Sequence, residues 1–156
     1  IKIQVADENA KASAGAEVEF KVGGHPLPRP AAFSVLSLGF YKLESDRQPM
    51  EQPAYKPGDT LLARFQLAGF QLAEKNRFEV SYGLSILSPS GKVLYTQEDA
   101  AADNGAPFYP RRVLNGALTL NLTAGVQPAE YTLVVKAKDR VGNTEAEARS
   151  QFRVGP

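Results

Sequence analysis

Strict alternation of apolar and polar residues is the feature that most constrains the fold of this chain. Near the C-terminus, the apolar side chains of one face are Tyr131, Leu133, Val135 and Ala137. Residues 145–154 alternate in the same way, and Phe152 and Val154 are the last apolar residues of one face. Successive side chains of a strand point to opposite faces, whereas a helix would scatter both sets around its circumference. The alternation therefore predicts two half-buried strands.

The same pattern recurs along the chain after Pro30. The other predicted strands are 33–43, 61–67, 78–86, 92–97 and 118–122. Turn-forming Gly, Pro, Asn and Asp residues separate several of them, and no segment has a convincing helical period. We therefore expect an all-β domain of about seven antiparallel strands, packed as two layers around one core.

Composition excludes several classes of function. Charged residues are 22% of the chain, with 18 Lys and Arg against 17 Asp and Glu, so the total charge gives no strong field to attract nucleic acid. The chain contains no cysteine, which excludes disulfides, thiolate metal sites and cysteine nucleophiles. No apolar run approaches the roughly 20 residues that span a bilayer. We expect neither nucleic-acid binding nor membrane insertion.

The two ends of the chain resemble each other. Residues 1–24 match residues 133–156 without a gap at an offset of 132. The identical pairs include Asp7 with Asp139 and Phe20 with Phe152. This predicts that residues 1–24 are the last β-hairpin of a preceding repeat, that 25–32 form a Pro-rich linker, and that 33–156 form one complete domain. An isolated hairpin is marginally stable, so we expect it to dock on the complete domain, or on a neighbour, by strand addition.

Residues 125–156 resemble the C-terminal hairpin of bacterial immunoglobulin-like and fibronectin type III-like domains. The shared motifs are Tyr131-x-Leu133, Asp139-x-x-Gly142-Asn143 and a final Phe152-x-Val154. The resemblance implies an antiparallel immunoglobulin-like β-sandwich, a tandem arrangement, and a buried Tyr131 whose hydroxyl bonds back to the backbone. Residues 40–112 are also similar to exported bacterial domains that have no assigned function. Such families imply a fold and no particular chemistry.

The sequence offers no catalytic apparatus. The single histidine, His25, lies in the Pro-rich segment, and no nucleophile, phosphate-loop or zinc-protease motif is present. An acid–base pair would require convergence of some of the acids Glu44, Asp46, Glu51, Asp59, Glu98, Asp99 and Asp103. We therefore predict that the chain is not an enzyme and uses no cofactor.

Two aspartates are candidates for calcium. Sandwich domains of the cadherin type bind calcium with acids from loop ends at domain junctions, and Asp7 and Asp139 occupy equivalent loop positions. An aspartate that opens a tight corner more often accepts local backbone hydrogen bonds. The second interpretation is favoured, and no metal is predicted.

The connection from Asp99 to Asn115 is the candidate binding surface. Long connections without their own structure are often functional. This one contains Phe108, Tyr109, Arg111 and Arg112, and aromatic and arginine side chains anchor many protein interfaces. The alternative is that both rings fold back to cover the open end of the sandwich.

Taken together, the patterns predict a non-catalytic, extracytoplasmic bacterial module, secreted or periplasmic. It would serve as a spacer or as a protein-binding domain in a multidomain chain, with a protein or a neighbouring domain of the same chain as its partner. The alternative is a carbohydrate-binding accessory module of a secreted enzyme, because exposed aromatic rings also stack on sugars. A polysaccharide would then be the ligand.

Overall fold

The computed structural model describes residues 2–7, 10, 12–19 and 27–155. These residues are nearly all β-structure, which confirms the predicted class. The strands are β1 Lys2–Asp7, β2 Ala12–Glu17, β3 Ser34–Tyr41, β4 Ala54–Tyr55, β5 Thr60–Ala68, β6 Phe78–Leu87, β7 Val93–Gly105, β8 Val113–Asn121, β9 Ala129–Asp139 and β10 Thr144–Val154. The helical structure in the described ranges is one 3-10 turn, Glu74–Asn76. None of it is long and apolar enough to cross a membrane.

The strands after residue 30 form two larger sheets. One has the order β4-β10-β9-β6-β7, and the other has the order β3-β5-β8. Neighbouring strands are antiparallel except for β4, which runs parallel to β10. The sequence did not predict β4, because a strand of two residues is too short to show alternation.

Apolar side chains of both sheets meet in one core. The ring of Phe40 on β3 lies 5.6 Å from that of Phe152 on β10, and Phe65 on β5 lies 5.2 Å from Tyr82 on β6. Burying a large apolar side chain stabilises a fold by about 1.5–3 kcal/mol. Leu133 and Val135 are fully buried, as their alternation predicts.

Tyr131 has the contacts that its motif implies. Its ring is buried and stacks on Phe152 at 5.7 Å between centroids. Its hydroxyl donates a 2.8 Å hydrogen bond to the Gln127 carbonyl oxygen. The bond joins the start of β9 to the turn before it.

The predicted long connection from Asp99 to Asn115 is wrong. β7 continues to Gly105, which pairs with Phe78, and β8 begins at Val113, so the connection is residues 106–112. β7 lies at the edge of the five-stranded sheet and its side chains are exposed or half-buried. Its pairing therefore depends on backbone hydrogen bonds, which leave no apolar alternation in the sequence.

A bulge interrupts β7 beside Gly83. Pairing with β6 shifts between Tyr82 and Leu84, and Asp99 has a φ of 46°. A side chain at position 83 would overlap the Gln97 carbonyl oxygen and approach the Asp99 nitrogen at 3.0 Å. Glycine at this position lets the bulge cross close to β6.

β1 and β2 form an antiparallel hairpin and, within the described ranges, a sheet of their own. Its register is that of β9 and β10 displaced by 132 residues. Asp7 faces Ala12 as Asp139 faces Thr144, and Lys2 faces Glu17 as Val134 faces Arg149. Among the described residues, the strand pairings do not include the expected addition of this hairpin to a larger sheet of the same molecule. Phe20 and His25 lie outside the described residues.

Candidate functional site

Four segments meet at one end of the two sheets. They are residues 27–33, 69–77, 106–112 and 140–143, and we call this end the proximal end. The strand register places them together, because Ala68 at the end of β5 pairs with both Ser34 and Val113, while Phe78 pairs with Gly105. A hydrogen bond of 2.7 Å from the Gln71 backbone nitrogen to Asp139 joins two of the segments directly.

Phe108 and Tyr109 project into solvent at the proximal end. Their exposed fractions are 87% and 78%, and their rings make an edge-to-face contact at 4.9 Å and 87°. The alternative that they fold back over the core is therefore wrong. Phe33, Phe70 and Phe78, which are buried, lie at this end instead.

The backbone of the loop that carries the two rings is fixed by prolines and by hydrogen bonds from Asn76. Pro107 and Pro110 restrict its backbone, and the Asn76 side-chain amide donates to the carbonyl oxygens of Pro107 (3.2 Å) and Phe108 (2.9 Å). Asn76 itself has a φ of 58°, a conformation that asparagine tolerates better than most residues. The two exposed rings therefore belong to a loop whose backbone is restrained.

A hollow of about 280 Å³ lies beside the loop. Three arginines line it, Arg29, Arg111 and Arg112, and its other lining residues are Pro28, Pro30, Gly69, Phe70 and Leu72. The Arg111 guanidinium lies 5.9 Å from the centroid of the Phe78 ring, within the range of a cation–π contact.

Gly69 allows the hollow to form. It has a φ of 79°, and a side chain there would overlap the Ala32 carbonyl group and approach the Pro30 ring at 3.1 Å. Only glycine adopts this conformation with so close a neighbour at little cost. Its absence of a side chain lets residues 30–32 lie against the end of β5, which places Arg29 at the hollow that Arg111 and Arg112 also line.

The proximal end has a local excess of positive charge although the whole chain has a net charge of only +1. Its four segments carry one acid, Glu74, and six cations, which are Arg29, Lys75, Arg77, Arg111, Arg112 and Arg140. Two of the cations form ion pairs with acids of the adjoining strands, Arg77 with Glu79 and Arg140 with Glu79 and Asp99. Arg111 and Arg112 are predictable from the sequence, whereas Arg29 is not. The number of Lys and Arg residues in the chain gives no sign that these cations cluster, because the strand order brings them together.

Asp139 satisfies local backbone groups. It is 2% exposed, its Oδ1 accepts 3.0 Å hydrogen bonds from the Val141 and Gly142 nitrogens, and its Oδ2 accepts the bond from Gln71. This is the role that the tight-corner interpretation predicted. The side chain of Asp7 lies outside the described residues. In the part of the chain that the structure describes, no three His, Cys, Asp or Glu side chains cluster as a metal site would require.

Three of the seven acids considered for catalysis, Asp46, Asp59 and Asp99, serve separate local roles. Asp46 and Asp59 accept hydrogen bonds from backbone nitrogens of their own turns, at Leu43 (2.9 Å) and Lys56 (2.8 Å). Asp99 forms a 3.2 Å ion pair with Arg140 across the outer face of the five-stranded sheet. These contacts bring no two of the three aspartates together as an acid–base pair.

The Asp99 carboxyl has a lowered pKa. The Ser81 hydroxyl lowers this pKa most, burial opposes this effect, and the charges of Arg140 and Lys138 lower it further. Ser81 Oγ is buried and makes no hydrogen bond of good geometry to any described residue.

A second hollow lies between the edge strands β7 and β8 at the opposite end of the sheets. Its lining includes Leu94, Tyr95, Leu120, Val126 and Tyr131. Leu94 and Tyr95 are about half exposed, at 54% and 43%. This apolar groove is not predictable from the sequence, because the local pattern shows Leu94 and Tyr95 only as part of a hairpin strand.

Comparison with known proteins gives no family. No family model matches the chain, and no curated protein matches it. Three solved structures are similar over about four fifths of the chain. The first is the sporulation control protein Spo0M from Bacillus subtilis, with 12% identity and a TM-score of 0.49 over 81% of this chain and 51% of that one.

The second is a family 123 glycoside hydrolase from Clostridium perfringens, with 8% identity and a TM-score of 0.50 over 80% of this chain and 27% of that one. The third is the alkylpurine DNA glycosylase AlkC from Pseudomonas fluorescens, with 10% identity and a TM-score of 0.49 over 81% of this chain and 31% of that one. The chain thus spans about half the length of Spo0M and about a third or less of the two enzymes. At these identities the likeness concerns the fold alone.

Proposed function

We propose that this chain is a non-catalytic immunoglobulin-like module that binds a protein partner through its proximal end. The observation that carries the proposal is the pair Phe108 and Tyr109, exposed at 87% and 78% on a loop whose backbone is tied to Asn76. Large apolar side chains that are grouped on the surface often mark an interaction site. Aromatic and arginine side chains in particular anchor protein interfaces.

The strand pairings support the immunoglobulin-like assignment. In an immunoglobulin sandwich, strand B pairs with E in one sheet, and C, F and G are neighbours in the other. Here β5 pairs with β8, and β6, β9 and β10 are neighbours in that order. The Tyr131 hydroxyl bond to Gln127 is a further point of agreement.

The hairpin of β1 and β2 supports a tandem arrangement. Its six residue pairs reproduce six pairs of β9 and β10 at an offset of 132 residues. We infer that residues 1–24 end a preceding module of the same kind and that 25–32 connect it to the domain. The resemblance to exported bacterial domains is the basis for proposing an extracytoplasmic location.

A carbohydrate ligand is the second candidate, because sugars stack on open aromatic ring faces. The edge-to-face contact of Phe108 and Tyr109 turns the two rings nearly perpendicular, at 87°. They therefore offer no flat double platform. A protein partner, which inserts side chains between and around such rings, fits this arrangement better.

Photocrosslinking in the producing cell tests the proposal. A photoreactive phenylalanine analogue replaces Tyr109, and a matched control replaces Glu145, which is exposed on the outer face of the five-stranded sheet. We expect a protein adduct of discrete mass from position 109 and none from position 145. Adducts of equal yield at both positions, or retention on a polysaccharide panel without a protein adduct, would contradict a protein-binding proximal end.

A further inference from the structure

We propose that the hollow lined by Arg29, Arg111 and Arg112 receives a carboxylate of an acidic peptide segment, with the neighbouring apolar side chain of that segment against Phe108 and Tyr109. The inference rests on the proposed function and deepens it, because it states the chemistry of the partner. It also explains why three cations line one small space.

The charge of the hollow is uncompensated. Its lining residues include three arginines and no acidic residue. In the described ranges, the ion pairs of the proximal end join Arg77 and Arg140 to Glu79, and Arg140 to Asp99, and none involves the three arginines of the hollow. Like charges around one hollow repel, and an anion between them relieves that repulsion. Guanidinium groups bind carboxylates with paired, charge-assisted hydrogen bonds.

Two of the three arginines are also partly restricted before any ligand binds, Arg111 in its side chain and Arg29 in its backbone. Arg111 lies over the Phe78 ring at 5.9 Å, and Arg29 stands between Pro28 and Pro30, whose rings restrict the backbone. Less side-chain and backbone freedom is then lost on binding. The Phe70 and Leu72 side chains supply an apolar wall for the methylene groups of a glutamate or for the last side chain of a peptide.

Size and geometry favour a peptide over other polyanions. A hollow of about 280 Å³ holds one anionic group and its stem, not a chain of them. Nucleic acids and acidic polysaccharides present regularly spaced charges and are bound along extended basic tracks. This site is one compact cluster next to two mutually perpendicular rings, which suits an acidic residue followed by an apolar one.

Titration of the isotope-labelled full chain with defined peptides provides the test. The probes are a blocked pentapeptide with a central glutamate flanked by leucines, the same peptide with glutamine, and a leucine-rich peptide that has a free C-terminal carboxylate or a C-terminal amide. Arginine side-chain Nε–H resonances report binding at each guanidinium. We expect saturable shifts at Arg111 and Arg112, and about tenfold weaker binding for each peptide that lacks its carboxylate.

The two carboxylate probes distinguish the sources, since preference for the free C-terminus identifies a chain end and preference for the internal glutamate identifies a side chain.

The variant Arg111→Gln/Arg112→Gln should lose at least tenfold in affinity for the peptide. Arg149→Gln, which removes a cation paired with Glu147 on the outer face, should leave that affinity unchanged. Binding should weaken as salt concentration rises.

Equal affinity for the glutamate and glutamine peptides would overturn the inference, as would tighter binding of heparin or single-stranded DNA than of any peptide. The proposed function fails separately: crosslinking at Tyr109 without carboxylate preference leaves a protein-binding surface of different chemistry. Carboxylate preference without any protein adduct at Tyr109 would instead leave an anion site that does not face a partner.

Discussion

Single residues at the proximal end join its segments through hydrogen bonds to the backbone. Asp139 is the clearest case, because its two carboxylate oxygens accept bonds from the nitrogens of Gln71, Val141 and Gly142. These bonds connect the β5–β6 connection to the β9–β10 turn. The sequence predicted a local role for this aspartate, but the contact with Gln71 depends on tertiary structure and could not be predicted.

Replacing Asp139 by alanine should lower the free energy of unfolding by about 2–4 kcal/mol, because three backbone donors lose their acceptor in a site with little water. Asp139→Asn, which keeps one acceptor oxygen, should cost less. Urea unfolding measures both. Glu145→Gln, which changes an exposed carboxylate on the same hairpin, is the control and should stay within about 0.5 kcal/mol. An alanine variant as stable as the control would refute this role.

Tyr55 predicts how the fold responds to alkali. Burial, opposed by a backbone hydrogen bond from Leu62 and reinforced by the charge of Asp59, raises the pKa of its phenol from 10.0 to about 12. The folded state thus favours the protonated phenol. Its contribution to stability is fully present below pH 10 and is lost as pH rises towards about 12.

Urea unfolding on either side of pH 10 tests this, with Tyr55→Phe as the comparison, since phenylalanine cannot ionise. The wild-type chain should lose more stability than the variant over this range. Parallel pH profiles for the two chains would show that the Tyr55 phenol ionises as easily in the folded state as in the unfolded one.

Strands differ in how well their sequence predicts them. β5, β6, β9 and β10 are half-buried or buried, so their apolar side chains alternate or cluster in a readable way. β7 is an edge strand with largely exposed side chains, and the sequence pattern predicts only its first half as a strand. An edge strand forms backbone hydrogen bonds with one neighbour only, which for β7 is β6. This pairing requires no apolar alternation in the sequence of β7 itself.

The β6–β7 pairing should depend on Gly83. Gly83→Ala places a methyl group against the Gln97 carbonyl and the bulge at Asp99, so the bulge must move, at a cost of about 1–3 kcal/mol. Hydrogen exchange of the β7 amides should accelerate more than that of β9. Gly125→Ala is the matched control, because nothing lies within 4 Å of the added methyl group. Unchanged exchange in β7 would contradict the close approach.

At the scale of the whole molecule, the fold class and the aromatic loop were predictable from sequence, and the basic hollow was not. Alternation and turn residues are local signals, and Phe108 with Tyr109 between prolines is conspicuous in the sequence. Arg29 joins Arg111 and Arg112 only because β3, β5 and β8 are neighbours in one sheet and Gly69 admits the chain beside them. Total charge gives no sign of such an arrangement, since it averages over the surface.

We propose that the proximal end displays its two large rings for contact and does not use them to close the core. The free energy of unfolding of the double variant Phe108→Ser/Tyr109→Ser, compared with the wild-type chain in urea, tests it most directly. We predict values equal within about 0.5 kcal/mol, because both rings are already in solvent. A loss of about 2 kcal/mol or more, the size expected for truncating buried aromatics, would show that the rings belong to the core.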